Sequence, residues 1–556
     1  MKKPALVLAL LLFAFAGHAQ KTISAQKIKL IDSLLTYLYQ NDRFMGSVVI
    51  RQDNKTILKK AYGIIGDRKG KPIAANGDTR YRIGSISKTY TAVMIMQLVE
   101  EGKLSLDDRL QKFFPEIPNA DKITIRQLLT HQSGLYNYTN DLQWRSQRQY
   151  VSQKELIAVF AKQKPVFEPG AKTEYCNTNY MLLGYIVETI TGKNFNDNLQ
   201  SRIVRKLGLR HTLLPTTNVN PAKNEALSFN FDENSKWQSE PETHVSSCAG
   251  AGGILATPED VSIFLEALVQ NKLLKAATVQ EMLPQQGKND INGVNSYGYG
   301  ILSLPFGTDH TAYGHSGHVD AFHTMSGYFP EDKLSMSLFA NTEVMNLNQV
   351  AIYLLSILFD KAYTFPDFTE VAVSAADLQG LTGVYTTPQL PMEIRVMEHS
   401  GRLWTQATNQ DSARLTALSK DKFEFKEADL TLKFTRDEKG MAQQAILAQG
   451  GEELKLKRKD PNAAKPAAVE VSEVLLNSYE GVYSAAAFPM KITILKQGTS
   501  ITAQATGQPA ILLTAISDAE FEFDTIGLNI RFKTNSDGKT TGMTFTQGDS
   551  IELAKE

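Results

Sequence analysis

The last third of the chain repeats itself at a fixed offset. Gly383-Val-Tyr385 returns as Gly481-Val-Tyr483, and Pro391-Met392 as Pro489-Met490. Gln406-Ala-Thr408 returns as Gln504-Ala-Thr506, and Phe423-Glu-Phe425 as Phe521-Glu-Phe523. Phe434 matches Phe532, Gly440 matches Gly538, and every pair is 98 residues apart. A constant offset means two copies of one folding unit. Within each copy, short alternating runs such as Phe-Glu-Phe are separated by turns, with no helical period. About eight such runs per copy predict a small all-β barrel or sandwich that hides its strand edges. The copies cover 377–459 and 471–556, and Asp460-Pro-Asn-Ala-Ala-Lys-Pro-Ala-Ala468 reads as a short stiff linker between them. Neither copy displays ligand chemistry, so packing is their expected role.

Residues 20–365 read as a different domain. Helical spacing marks 21–45, 154–163, 178–192 and about 346–361. A β-hairpin is predicted over 46–64, turning at Asp53-Asn54. Strand patterns return between 297 and 341. A domain that starts and ends with helix and strand, with helices inserted between, closes an antiparallel sheet from both chain ends. The fold class is therefore α+β, followed by the two small β modules. With 556 residues in all, two to four domains are expected.

Composition narrows the partners. There are 59 basic and 59 acidic residues, and no basic run stands out, so nucleic acid is not an expected partner. Residues 1–19 read as a cleavable signal peptide. Lys2 and Lys3 precede an apolar run from Ala5 to Ala16, too short to span a bilayer, and Gly17-His18-Ala19 supplies small residues for cleavage. No later segment reads as a membrane span. A periplasmic or secreted location is the expectation. Cys176 and Cys248 are the only cysteines, and two unpaired buried thiols are the default.

Chemistry is concentrated at Tyr81-Arg-Ile-Gly-Ser-Ile-Ser-Lys-Thr-Tyr90. Behind Lys88, the positions Ala92, Val93, Met96 and Val99 predict a helix from Thr89 to Glu101, with Gly102 past its end. Ser85 then sits at a helix N-terminus, where N–H groups favour developing negative charge. Lys88 shares its face one turn on, as a nucleophile and its proton acceptor would. A serine at a helix start is also a common cap, and a lysine there is commonly solvated.

Two further segments bear on that choice. Tyr175-Cys-Asn177 offers a phenol and an amide on one side of an extended loop. A phenol beside an ammonium gives up its proton more easily, and an amide orients a substrate carbonyl. His315-Ser-Gly317 lies in a strand-like stretch whose glycines would let a substrate backbone approach. His315 reads as a proton donor, a carboxylate anchor or an ordinary histidine.

The order S-x-x-K, Y-x-N, H-x-G resembles the serine β-lactamase and penicillin-binding superfamily. It is most similar to the class C β-lactamase-like branch of D-Ala-D-Ala carboxypeptidases, D-aminopeptidases and esterases. Leu128-Leu-Thr-His-Gln-Ser-Gly-Leu135, Gly252-Gly-Ile-Leu-Ala-Thr-Pro-Glu-Asp260 and Tyr297-Gly-Tyr-Gly300 also look like that branch. The resemblance covers about 25–360. It implies a five-stranded antiparallel sheet with flanking helices and an all-α subdomain. It implies Ser85 as the acylated nucleophile, with Lys88 and Tyr175 sharing its proton. Asn177, His315 and Gly317 would bind substrate, and the backbone N–H groups of Ser85 and His318 would form the oxyanion hole. No cofactor and no metal are expected. The two-module tail resembles lipocalin-tailed D-aminopeptidases.

Two departures qualify this. The third motif is His-Ser-Gly where class C β-lactamases carry Lys-Thr-Gly, so a fixed cation for a substrate carboxylate is missing. That disfavours β-lactams and D-Ala-D-Ala ends and favours D-amino-acid peptides, amides or esters. His315→Lys should then improve carboxylate-bearing substrates. Cys176 stands where serine is usual. Expected alternatives are a carboxylesterase, a weak β-lactamase or a non-catalytic ligand-binding protein. The oligomeric state is left open.

Overall fold

The computed structural model describes residues 22–556 except 69, 233–235, 285–289, 292–294, 343, 367, 369–370, 391, 400, 409–411, 426–427, 429, 450–451, 460–468, 486–487, 507–509, 524–527, 536 and 548. The signal peptide, Pro391 and the linker 460–468 lie outside the described residues. The chain divides into two compact units, the first ending at Pro366 and the second running Asp367–Glu556.

The first unit is built on an antiparallel sheet. Its strands are β1 (Gly46–Gln52), β2 (Lys55–Tyr62), β3 (Leu302–Phe306), β4 (His310–Val319), β5 (Phe322–Phe329) and β6 (Leu334–Ala340), in the order β3-β4-β5-β6-β1-β2. β1 pairs with β6 from Gly46↔Ala340 to Gln52↔Leu334, so the two chain ends do close one sheet. The turn between β1 and β2 puts Asp53 and Asn54 at φ 50° and 61°, the left-handed pair that a two-residue hairpin needs. The described strands number six, not the five implied by resemblance. The extra one, β3, is added at the edge because Leu302 to Phe306 folds back on His310 to Gly314.

Helices cover both faces of the sheet. α1 (Ala25–Gln40) is capped by Ser24 and buries Ile31, Leu34, Leu35 and Leu38, a single stripe at helical spacing. It packs with the helix Leu347–Leu358 and against β2. On the other face, α4 (Pro258–Val269) lies over β1, β5 and β6. There Glu266 takes Arg51 Nε at 2.9 Å, and Ser262 meets Ser337 at 2.7 Å. α2 (Ser87–Glu100) is buried from Ser87 through Leu98, and α3 (Asn177–Thr191) is buried from Thr178 through Val187. These two pack together as the centre of the helical part, and neither needs a strong polar face.

The second unit holds two barrel-like sheets. In the first, nine described strands run from Gly383–Thr386 to Glu452–Arg458; in the second, nine run from Gly481–Ala485 to Asp549–Lys555. The first sheet ends on Ala413–Arg414 at one side and Thr416–Ser419 at the other, with only Leu415 between them. The second ends on Ile511–Leu512 and Thr514–Ala515, with only Leu513 between. Each sheet thus curls until its edges nearly meet, which is how a small β module avoids an open edge. The sequence repeat is a structural one. Tyr385 donates to Leu381 O and Tyr483 to Tyr479 O, both at 2.7 Å, tying the first strand to a preceding short helix. Gly440 and Gly538 share φ near 80° in equivalent turns. Among the described residues no helix is long and apolar enough to cross a membrane.

Candidate active site

The segment before α2 is fixed from three sides. Tyr81–Arg82 pairs with Leu255–Ala256, and the Tyr81 hydroxyl meets Ser47 at 2.7 Å. Ser87 Oγ takes the Ile254 N–H at 3.1 Å. Gly84 has φ 50°, and a Cβ there would stand 2.6 Å from His318 N. Only glycine allows that approach. Residues Gly84–Ile86 form a 3₁₀ turn leading into α2, so Ser85 stands at a helix entrance as its sequence predicts.

Lys88 is 0% exposed. Its Nζ lies 2.9 Å from Ser85 Oγ, 2.8 Å from Asn177 Oδ1 and 2.7 Å from Ala251 O. Asn177 is oriented by its own contacts, giving Nδ2–H to Thr139 Oγ1 at 2.9 Å and its backbone N–H to Asn137 Oδ1 at 3.0 Å. Asn177 is the first residue of α3, and extended Cys176 before it carries Tyr175 to the same side. Tyr175 is hydrogen-bonded to Ser85, and its ring centroid lies 4.9 Å from Lys88 Nζ. The structure therefore brings Ser85, Lys88, Tyr175 and Asn177 into one cluster.

Burial sets the protonation of this cluster. Burial strips Lys88 of water, the two cysteines offset this only weakly, and its pKa falls to about 7. Burial pushes the Tyr175 phenol well above its ordinary value, although its bond to Ser85 acts the other way. Burial, rather than the neighbouring Lys88 amine, sets the direction of the phenol's shift. Burial also raises the Cys176 thiol to about 11, and both cysteines are free.

His315 and Gly317 are both buried in the strand that runs past Ser85. His315 is 2% exposed; its Nδ1 donates to Ser316 O at 2.5 Å and its Nε2 accepts from the Tyr297 hydroxyl at 3.2 Å. Burial and the nearby Lys88 hold its pKa at about 3, so it is neutral. It sits behind Tyr175, with ring centroids 6.4 Å apart. Gly317 makes room for the chain itself: a Cβ there would lie 2.0 Å from Ile83 O. The close neighbour is the segment leading to Ser85, not a substrate backbone. The same contact brings His318 N beside Gly84 and Ser85.

Sequence reasoning passed over several residues. His131, within Leu128 to Leu135, is sealed, with φ 57°; its Nδ1 accepts the Cys176 N–H at 3.1 Å, and its ring lies 4.4 Å from Tyr175 and 4.7 Å from Tyr297. Burial and Lys88 hold it well below an ordinary histidine. Its sequence signals were a histidine just past a short helix and its place in the Leu128 to Leu135 segment that resembles the family. Arg82 and Asp320, 238 positions apart, form a sealed ion pair at 3.1 Å. A cleft of about 620 Å³ opens onto Ser85 and Asn177, with Arg148, Glu240, His318 and Asp320 on its walls.

The comparisons with known proteins agree with this architecture. The family model described as Beta-lactamase matches residues 30–357. The teichoic acid D-alanine hydrolase of Staphylococcus aureus is 30% identical over 282 residues, which cover 50% of this chain and 66% of that protein. The matched region thus spans just under two thirds of that relative's length. A D-amino acid amidase from Ochrobactrum anthropi SV3 is 25% identical, with a TM-score of 0.53 over 60% of this chain and 99% of that one. A D-stereospecific amidohydrolase from Streptomyces sp. is 26% identical, with a TM-score of 0.50 over 60% of this chain and 98% of that one.

Proposed function

The chain belongs to the β-lactamase family, and from that membership we propose that it is a serine hydrolase that forms an acyl-enzyme on Ser85 with amides or esters of D-amino acids. The carrying observation is the placement of Lys88 Nζ against Ser85 Oγ and two acceptor oxygens in a sealed site. A neutral amine has two N–H bonds and one lone pair. Asn177 Oδ1 and Ala251 O take the two N–H bonds, which leaves the lone pair for the Ser85 hydroxyl. A pKa of about 7 makes that neutral form abundant at neutral pH.

In this reading Ser85 Oγ attacks the substrate carbonyl carbon and its proton moves to Lys88 Nζ. The N–H groups of Ser85 and His318 receive the oxyanion. The tetrahedral intermediate then breaks the bond to the amine or alcohol, which departs with a proton relayed from Lys88 through the Tyr175 hydroxyl. Water hydrolyses the acyl ester, with Lys88 again taking the proton, and Ser85 is restored. Because burial keeps Tyr175 protonated, it donates rather than serving as the base. His315 positions Tyr175 through the intervening Tyr297 and does not bind substrate.

The D-amino-acid preference rests on the names of the relatives, which include a D-amino acid amidase and a D-alanine hydrolase. Glu240 supports it, since its carboxylate lines the cleft and can meet a free α-ammonium. An exported location rests on the signal-peptide pattern. The test is mass spectrometry after treatment with a fluorophosphonate, followed by a panel of D- and L-amino acid amides and esters. An adduct on Ser85 and faster turnover of the D-series are expected. No adduct, or preference for the L-series, would sink the reading.

A further inference from the structure

Asp320 is one carboxylate held by two guanidiniums. Arg82 NH1 meets its Oδ2 at 3.1 Å and Arg148 NH1 meets its Oδ1 at 2.9 Å. Thr243 adds its N–H and its hydroxyl to the same carboxylate. The Arg82 and Asp320 side chains are each 3% exposed, whereas that of Arg148 is 39% exposed. A sealed arginine must have its counter-charge at hand, so Asp320 is committed to Arg82. Arg82 is also faced by the buried Glu242 carboxyl, which burial raises to about 7, whereas Arg148 shares only Asp320 and turns the rest of its guanidinium to water.

Arg148 is also the only arginine or lysine among the described residues lining the cleft. Its NH1 is anchored on Asp320 and on Thr243 Oγ1 at 3.1 Å, which fixes the plane of the guanidinium. The rest of the fork presents donors suited to two oxygens of an anion. Among the other basic groups near Ser85, His318 turns its ring Nε2 to Asp320 O. Lys88 is enclosed by Ser85, Asn177 and Ala251 O, and His315 is neutral and sealed. Glu240, which with Asp320 carries the acidic groups on the cleft wall, takes the Asn230 amide.

We propose that Arg148 binds an anionic group, carboxylate or phosphate, carried by the substrate away from its scissile bond. The proposal rests on the reading of this cleft as the substrate site. It moves the anion anchor from His315 to Arg148, held at the end of the same strand by Asp320, and so readmits substrates that the His-Ser-Gly motif disfavours.

The test measures binding without turnover. Full-length Ser85→Ala protein, alone and with Arg148→Ala or Arg148→Lys added, is titrated calorimetrically with matched pairs. One pair is D-alanyl-D-alanine and its C-terminal amide; the other is the D-alanyl ester of glycerol phosphate and that of glycerol. Arg148→Ala is expected to weaken the anionic member of at least one pair about tenfold more than its neutral partner, with part of the loss recovered by Arg148→Lys. Whichever pair shows the difference identifies the anion as carboxylate or phosphate. Equal losses within both pairs, or no binding of any ligand, overturns the proposal. The catalytic reading is checked separately by the Ser85 adduct in the wild type. If that adduct is absent while the differential persists, the anion site stands and the hydrolase reading falls.

Discussion

Lys88 Nζ lies 2.9 Å from Ser85 Oγ with no water-exposed surface of its own. Its pKa of about 7 makes the neutral amine the active form. Below that value protonation removes the acceptor, so kcat/KM for an uncharged ester should fall tenfold per pH unit; above it the rate should level. A pH profile of p-nitrophenyl acetate hydrolysis checks this. Lys88→Arg stays charged at every accessible pH, and should lose ~10³-fold or more of the rate without regaining it at high pH. A wild-type profile flat from pH 5 to 9 would contradict the assignment.

Tyr175→Phe separates the phenol from the amine. The hydroxyl is protonated throughout the neutral range, so its removal takes away a relay but not the base. The rate should fall by about 10²-fold while the acid limb stays near pH 7. A limb that moved or vanished in this variant would assign the base to Tyr175.

Ser85→Ala should abolish the fluorophosphonate adduct and reduce turnover by more than ~10³-fold. The variant loses the hydrogen bonds to Lys88 and Tyr175, so its stability should change by only about 1 kcal/mol, measured by thermal or urea unfolding. Wild-type turnover in a well-folded variant would place the nucleophile elsewhere.

His315→Lys is where sequence and structure disagree most usefully. From the motif alone, a lysine should give substrate carboxylates a partner. In the fold it would put a second ammonium in a sealed site beside Lys88 and remove the acceptor for Tyr297. The variant should lose about 3 kcal/mol of stability and gain no preference for carboxylates. Improved turnover of D-alanyl-D-alanine at wild-type stability would restore the motif-based reading.

That contrast shows which parts were legible in the sequence. The Ser85 to Lys88 spacing is local, so helix geometry alone brings the two together. The two β modules were visible because the copies kept the same tyrosine-to-helix tie and the same turn glycines. The edge strand Leu302–Phe306 falls within the stretch 297–341 read as strands, but its place as a sixth strand was not legible because its pairing depends on a fold-back at Gly307. The burial of His315 could not be read either. A histidine flanked by glycines looks the same whether the glycines admit a substrate or, as here, the preceding chain at Ile83.

The Arg82–Asp320 pair gives the last prediction. Arg82 stands three residues before Ser85, and Asp320 two residues after His318, so the pair clamps the two segments whose N–H groups form the proposed oxyanion hole. Asp320 O also accepts from the His318 ring at 2.9 Å, which holds the turn after β4. Asp320→Asn keeps the size and most hydrogen-bond acceptors but removes the carboxylate paired with Arg82, leaving it only the Glu242 carboxyl, which burial raises to about 7. Breaking a buried pair in this way should cost about 3 kcal/mol of stability. If the pair only supported the fold, turnover per folded molecule would be unchanged below the melting transition. If it sets the spacing of Ser85 N and His318 N, kcat for a small neutral ester should drop by about tenfold or more with KM little altered, because the loss falls on the oxyanion and not on the bound substrate. Steady-state kinetics at a temperature where the variant is fully folded distinguish the two, and an unchanged kcat would reduce the pair to a purely structural tie.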